Sequence, residues 1–218
     1  MKTIQYLYLF ILFCLTKEAN AQFSAGLRVS YGNAWEDYGN AIVPENAVTH
    51  IPAYQFSGLL NFEIGKVIGI GIEPGFVRRG AACIPEFVTF TSDRKIMCNY
   101  AEMPLILTAK TPISKGKFEI FGKAGYGMSY MVSGNEIFID LTGARDPNVV
   151  PFNFKNPFGI NVRRWDNGIY AGLGIGYNLS FGQIFLETNG YMGMRNVSEY
   201  SSSKSRNIHA GMGYKISL

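Results

Sequence analysis

Helical periodicity is missing from this chain of 218 residues, and cysteine, histidine and tryptophan are scarce at three, two and two. Charged residues make up only 17%, with a formal balance of +4. Each shortage excludes something. Without stretches of period 3.6 there is no basis for a helical bundle or coiled coil. The two histidines, His50 and His209, stand far apart, and the cysteines lie at no metal-ligand spacing, so neither a metal nor another cofactor is expected. The basic residues are scattered and form no stripe, which argues against nucleic acid as a partner. No serine and acid surround His209 in the pattern of a hydrolase triad, so the chain does not read as an enzyme.

What is present begins with an export signal. Lys2 supplies a positive start, Ile4 to Leu15 an apolar run, and Ala19-Asn20-Ala21 a small-x-small cleavage pattern. The run is short for a spanning helix, which needs about 20 residues. Cleavage between Ala21 and Gln22 is expected, with residues 1–21 as signal peptide and 22–218 as one domain. Exported chains mature in an oxidising compartment, where Cys83 and Cys98 are free to pair.

The stretch "YAGLGIGYNL", Tyr170 to Leu179, carries glycine at 172, 174 and 176. A dinucleotide loop needs G-x-G-x-x-G opening a helix. Here the spacing is G-x-G-x-G, and the period is two, the signature of a strand. The same period recurs in eight segments of about 9 to 13 residues, longer than soluble strands and suited to crossing an outer membrane. One face of each is apolar: Phe23, Leu27, Val29 and Tyr31 in the first, Leu173 and Ile175 in the sixth, Ile208, Ala210 and Met212 in the eighth. The other face mixes glycine with Arg28, Glu73, Glu102, Lys123, Glu187, His209 and Lys215, an expected interior ionic network. Apolar outside and charged inside is the pattern of a membrane barrel.

Connection lengths agree. Long links near 32–52, 80–95, 132–164 and 196–204 alternate with short ones at Gly65-Lys66, Thr111 to Gly116 and Ser180 to Gly182. Short periplasmic turns and long outer loops have this asymmetry. Tyr54, Tyr130 and Trp165 mark an outer aromatic edge, and Phe118, Tyr177 and Tyr214 an inner one. The predicted fold is all-β, an eight-stranded antiparallel up-and-down transmembrane β-barrel in a Gram-negative outer membrane.

With strands and faces placed, the chain resembles the PorT-like outer-membrane β-barrel proteins, porin-family barrels of OmpA/OmpX-like architecture. "YQFSGLLNFEIGKVIGIGIEPGFVRRG" is similar to the family's second hairpin and "NYAEMPLIL" to its fourth strand. "GIYAGLGIGYNL" and "YMGMRNV" match later strands. The final Leu218 departs from the usual terminal aromatic. The resemblance implies an envelope location and no single function, with a few members in secretion machinery.

The residues support a structural or surface-interaction barrel without catalysis. Its working surface is then the 132–164 loop, with Phe138, Phe152, Phe154, Phe158, Arg145, Arg163 and Arg164. The alternatives are a subunit of a secretion or uptake complex, or a narrow channel. Expected partners are outer-membrane lipid and an envelope protein engaged through the outer loops. Inside the barrel, Glu102 and Lys123 are expected to pair, and His209 to hydrogen-bond with Glu187 or Arg28 in reach. Cys83 and Cys98 are expected to form a disulfide across the outer end of a hairpin; two unpaired thiols are the alternative.

Overall fold

The computed structural model describes residues 22–38, 48–65, 67–83, 92–140, 149–152, 163–197 and 202–218. The expected signal peptide and its cleavage site at Ala21 therefore lie outside the described segments. Eight barrel strands account for nearly all of them: β1 Gln22–Tyr38, β2 Ile51–Ile64, β3 in two collinear segments Ile68–Ile72 and Gly75–Cys83, β4 Ser92–Ile113, β5 Phe118–Asp140, β6 Trp165–Leu179, β7 Gly182–Asn196 and β8 Ser203–Ser217. Two-residue pairings at Val48–Thr49 and Val150–Pro151 are added at the outer end.

Every strand pairs antiparallel with its sequence neighbours, and β1 pairs with β8, so the sheet closes. Closure removes the exposed edges that an open sheet leaves. The stagger is readable from the register. Starting at Ser24, partners run through Asn61, Gly71, Ile106, Gly125, Tyr170, Tyr191 and Asn207. The circuit returns to β1 at Ala34, ten residues above its start. For eight strands, that stagger goes with a tilt of about 40°.

The turns at the periplasmic end follow from local chemistry. Ser114 and Lys115 adopt positive φ before Gly116, and Gly65 does so between β2 and β3. Pro74 has no N–H to give to the ladder and interrupts β3. Its carbonyl still accepts from Gly58 N–H at 2.8 Å, which keeps the two segments in one strand.

The faces agree with the alternation of the sequence. Leu27, Val29, Leu173, Leu186 and Met212 are all exposed, whereas Ser24, Arg28, Glu73, Glu102, Glu187 and His209 are buried. Phe23, Phe118 and Tyr177 are exposed at one end of the belt, and Tyr31, Tyr54 and Trp165 at the other.

Strand length differs from expectation. β4 has 22 residues and β5 has 23, against 15 each for β6, β7 and β8. Much of what reads as the 80–95 and 132–164 loops is β3, β4 and β5 continuing above the membrane as paired strands. Backbone pairing needs no lipid, so the ladder runs on past the apolar belt.

The expected Cys83–Cys98 bridge is corrected. Cys98 is a free, buried thiol. The β3–β4 register sets Cys98 opposite Arg79 and Cys83 opposite Arg94. The two cysteines are thus offset by four residues along the hairpin, about 13 Å at 3.3 Å per residue. A bridge needs Cα atoms about 4.4–6.8 Å apart. Non-reducing peptide mapping should accordingly find no Cys83–Cys98 crosslink. Cys98 should resist alkylation in the folded barrel and react after unfolding without reductant; a crosslinked peptide would contradict the register.

Candidate functional site

The interior is solid, and β5 reads its layers in order. Climbing from the periplasmic end, its inward residues are Glu119, Phe121, Lys123, Gly125, Gly127, Ser129 and Met131. Each belongs to a separate layer of the lumen or makes room for one.

The lowest layer is a ring of charges. Lys110 pairs with Glu63, and with Glu119 at 3.6 Å. Lys215 approaches the same two carboxylates at 3.5 and 3.9 Å. Signs alternate around the ring and cancel. Below it, a mouth of about 390 Å³ opens to the periplasm between Gln22, Asn178 and Ser217.

The next layer is apolar: Leu59, Phe121 and Phe185 are buried together. The two phenyl rings meet edge-on with centroids 5.9 Å apart. Gly174 and Gly213 make this plug possible. A Cβ at Gly174 would fall inside the Phe121 ring, and one at Gly213 inside Phe185. The inner glycine face therefore makes room for Phe121 at 174, for Gln183 at 176 and for Asn189 at 172. A cavity of about 30 Å³ lies beside the plug, room for a water or two.

Above the plug is a second charge ring, built on the odd-numbered strands. Arg28 of β1 binds Glu73 of β3 at 2.6 Å and Glu187 of β7 at 2.7 Å. Lys123 of β5 binds the same pair at 2.8 and 2.7 Å. Its ammonium also lies 5.5 Å from the Phe121 centroid and 5.7 Å from that of Phe185. Four buried charges thus neutralise one another, and no lone charge bears its full desolvation cost. The expected network residues Arg28, Glu73, Lys123 and Glu187 come together here.

Glu102 does not join them. It pairs with Arg79 at 2.5 Å and accepts from Tyr170 Oη at 2.6 Å and Gln55 Nε2 at 2.6 Å. Arg79 also reaches Asp166 at 3.4 Å, donates to Ser129 at 3.1 Å and stacks 3.7 Å from the Tyr191 ring centroid. Tyr191 donates to Asp166 at 2.7 Å. The expected Glu102–Lys123 pair is corrected by register: Lys123 faces Thr108 across the β4–β5 ladder, six residues from Glu102. Lys215 also sits apart from the Arg28 ring, in the lowest layer. His209 is buried as expected, yet neither ring nitrogen has a protein hydrogen-bond partner among the described residues. The register sets it opposite Gly32 and Asn189, above the carboxylates of the Arg28 ring.

The topmost layer is apolar again. Val77, Cys98, Tyr100 and Met131 pack together, with Phe152 from the long loop against them. Phe152 N–H donates to Gly134 O at 2.9 Å, and its ring lies against Gly134. It is a stopper in the mouth and not the exposed loop aromatic the sequence suggested. Arg164 instead stacks on Tyr130 at 4.5 Å. Phe154, Phe158 and Arg145 lie outside the described residues, and so does the side chain of Phe138. Arg79, Glu63, Lys110, Glu119 and Asp166 are further interior charges, and Glu36 and Glu136 are buried at the outer end. Strand parity marks the first five as inward, but their partners depend on stagger.

The closed ring, the apolar exterior and the charged interior define the class: an eight-stranded antiparallel outer-membrane β-barrel. No family model matches the sequence, and no curated relative matches either. Among solved structures, it is similar to OprG from Pseudomonas aeruginosa at 11% identity, over 91% of this chain and 97% of that one, with TM-score 0.48. It is similar to Neisserial surface protein A at 8% identity, covering 88% and 96%, with TM-score 0.45. The attachment invasion locus protein Ail of Yersinia pestis gives 13% identity, 89% and 99% coverage, and TM-score 0.42. The class follows from this barrel's own closure and faces.

Proposed function

We propose that the protein is a non-conducting, non-catalytic outer-membrane barrel, exported through a cleaved signal and related to the PorT-like barrels. It acts through its outer end as a structural or surface-interaction protein. The observation that carries this reading is the filled lumen. Two neutral charge rings and the paired Arg79–Glu102–Asp166 layer are stacked with two apolar plugs. An ion entering would have to break buried pairs and then pass a packed aromatic layer, which opposes steady conduction. The long outer ends of β3, β4 and β5 favour a protein partner, since they extend paired backbone beyond the membrane.

The test is planar-bilayer recording of the purified, folded barrel. Wild type should give no steady ohmic current. Sustained openings with the ring and plug residues intact would defeat the sealed-lumen reading. Affinity capture from solubilised envelopes then separates a lone surface barrel from a subunit of a secretion or uptake complex: a stoichiometric envelope partner supports the second.

A further inference from the structure

We propose that the folded barrel crosslinks itself: the side chains of Lys123 and Asn189 condense into an isopeptide bond, with Glu187 as the proton carrier. This is a single self-modification without turnover, and it goes beyond the sealed-lumen reading. The ring of charges described above is the arrangement before the bond forms.

The juxtaposition comes from register. Lys123 of β5 and Asn189 of β7 face the same residue of β6, Gly172, from its two sides. Both side chains are directed into the lumen, where Lys123 is 12% and Asn189 8% exposed. Their strands are two spacings apart, about 10 Å. A lysine carries its amine on a flexible four-carbon stem, which can pass one strand to reach a short asparagine. What lies between the two must be small, and it is glycine. A Cβ on Gly172 would stand 3.2 Å from Asn189 Cβ. Gly172 therefore leaves clear the line along which the two side chains meet.

Glu187 ties the two ends together. Its Oε2 lies 2.7 Å from Lys123 Nζ, and its Oε1 accepts from Asn189 Nδ2 at 3.1 Å. The amine and the nitrogen it would displace thus sit on the two oxygens of one carboxylate, whose side chain is 1% exposed. Holding reactants in place in this way supplies much of what an amide exchange needs. Lys123 Nζ also rests against the aromatic plug, near the Phe121 and Phe185 rings. An apolar pocket and an adjacent base are the two ways a lysine becomes a nucleophile. The other carboxylate on Lys123, Glu73 at 2.8 Å, keeps Arg28 as its cation.

The step balances without a co-reactant. Glu187 takes one proton from the Lys123 ammonium and leaves a neutral amine. The amine lone pair attacks Asn189 Cγ, and the Cγ–Nδ2 bond breaks. A second proton passes through Glu187 to the departing nitrogen, which leaves as ammonia. The third stays as the N–H of the new amide. Glu187 ends as a carboxylic acid, so Arg28 faces one charged and one neutral carboxyl group and the layer remains neutral, as burial demands. The cavity of about 30 Å³ beside the plug has room for one small molecule. It is lined by Lys123 and also by Lys110, Glu63 and Lys215, which line the periplasmic mouth as well. Ammonia is thus released on the side that opens to the periplasm.

Tryptic peptide mapping tests this on the full chain, purified folded from the outer membrane and, separately, refolded into micelles from inclusion bodies. The never-folded chain should be cut after Lys123 and give separate peptides for Lys123 and Asn189. On folding, the cut after Lys123 should be lost. A branched peptide should appear, lighter than its two parts by one ammonia. The branched peptide decides, not the intact mass, because cyclisation of an N-terminal Gln22 releases ammonia too. Asn189→Ser removes the carboxamide and should fold, keep the cut after Lys123 and give no branched peptide. Glu187→Gln should form the bond at least about 100-fold more slowly, as for loss of a general acid–base group. Folded wild type that still yields separate Lys123 and Asn189 peptides would overturn the proposal, as would a branched peptide in the never-folded chain. A Glu187→Gln barrel that crosslinks at the wild-type rate would overturn the role of Glu187. Should that variant fail to fold, wild type and Asn189→Ser decide on the bond itself.

Discussion

Arg79→Ala is expected to destabilise the barrel by about 3–5 kcal/mol, the cost of leaving a buried ion pair half-made. Arg79 and Glu102 are almost fully buried, at 1% and 0% side-chain exposure. Removing the guanidinium takes away the cation that pairs with both Glu102 and Asp166, and a donor from Ser129. Two carboxylates then share a low-dielectric layer with no cation paired to them. Urea titration of the folded barrel in micelles, followed by gel mobility without boiling, measures the loss. Adding Glu102→Gln to Arg79→Ala should recover part of it, because the amide carries no charge and still accepts from Tyr170. A single mutant as stable as wild type would show that Arg79 does not hold this layer together.

The second large effect lies on the opposite face. Leu173 is 65% exposed and belongs to the lipid belt. Leu173→Arg should cost about 2–4 kcal/mol, as for a midplane arginine on a barrel exterior. Gly172→Ala, one residue away and inward, is the control. Its Cβ would meet Thr188 O at 2.9 Å and Asn189 Cβ at 3.2 Å. That overpacks a backbone carbonyl, at about 1–3 kcal/mol. Folding yields into lipid vesicles rank the two. If the alanine proves the more damaging change, the inside and outside of β6 are exchanged.

Both predictions depend on knowing which way a side chain points, and that much was legible in the sequence. Alternation along a strand assigns faces without reference to any other strand. Phe23 to Tyr31, Tyr54 to Ile64 and Ile208 to Ile216 separate lipid-facing from interior positions by parity alone. Turn residues and the rhythm of short and long connections then give eight strands and their up-and-down order. Parity fails where the ladder is irregular, between β7 and β8 above Met192 and between β4 and β5. The β4–β5 register skips Val132, and above that bulge the buried positions switch to Gly134 and Glu136. A bulge adds one residue to one strand, and nothing in the alternation of residues 118–131 foretells it.

Partnership is a different matter, because it requires heights. Two inward residues on neighbouring strands meet only if the register and the ten-residue stagger bring them level. Lys123 and Glu102 occupy adjacent strands but lie six residues apart along the ladder, roughly 20 Å. Lys123 meets Glu187 from two strands away because the tilt lifts them to one level. Cys83 and Cys98 miss each other for the same reason. The sequence by itself determined the faces, the strand count and the membrane-spanning class, since those follow from period two and hydrophobicity. Only the tertiary structure decided which charges cancel and which aromatic rings plug the lumen, since those follow from the closure and shear of the sheet.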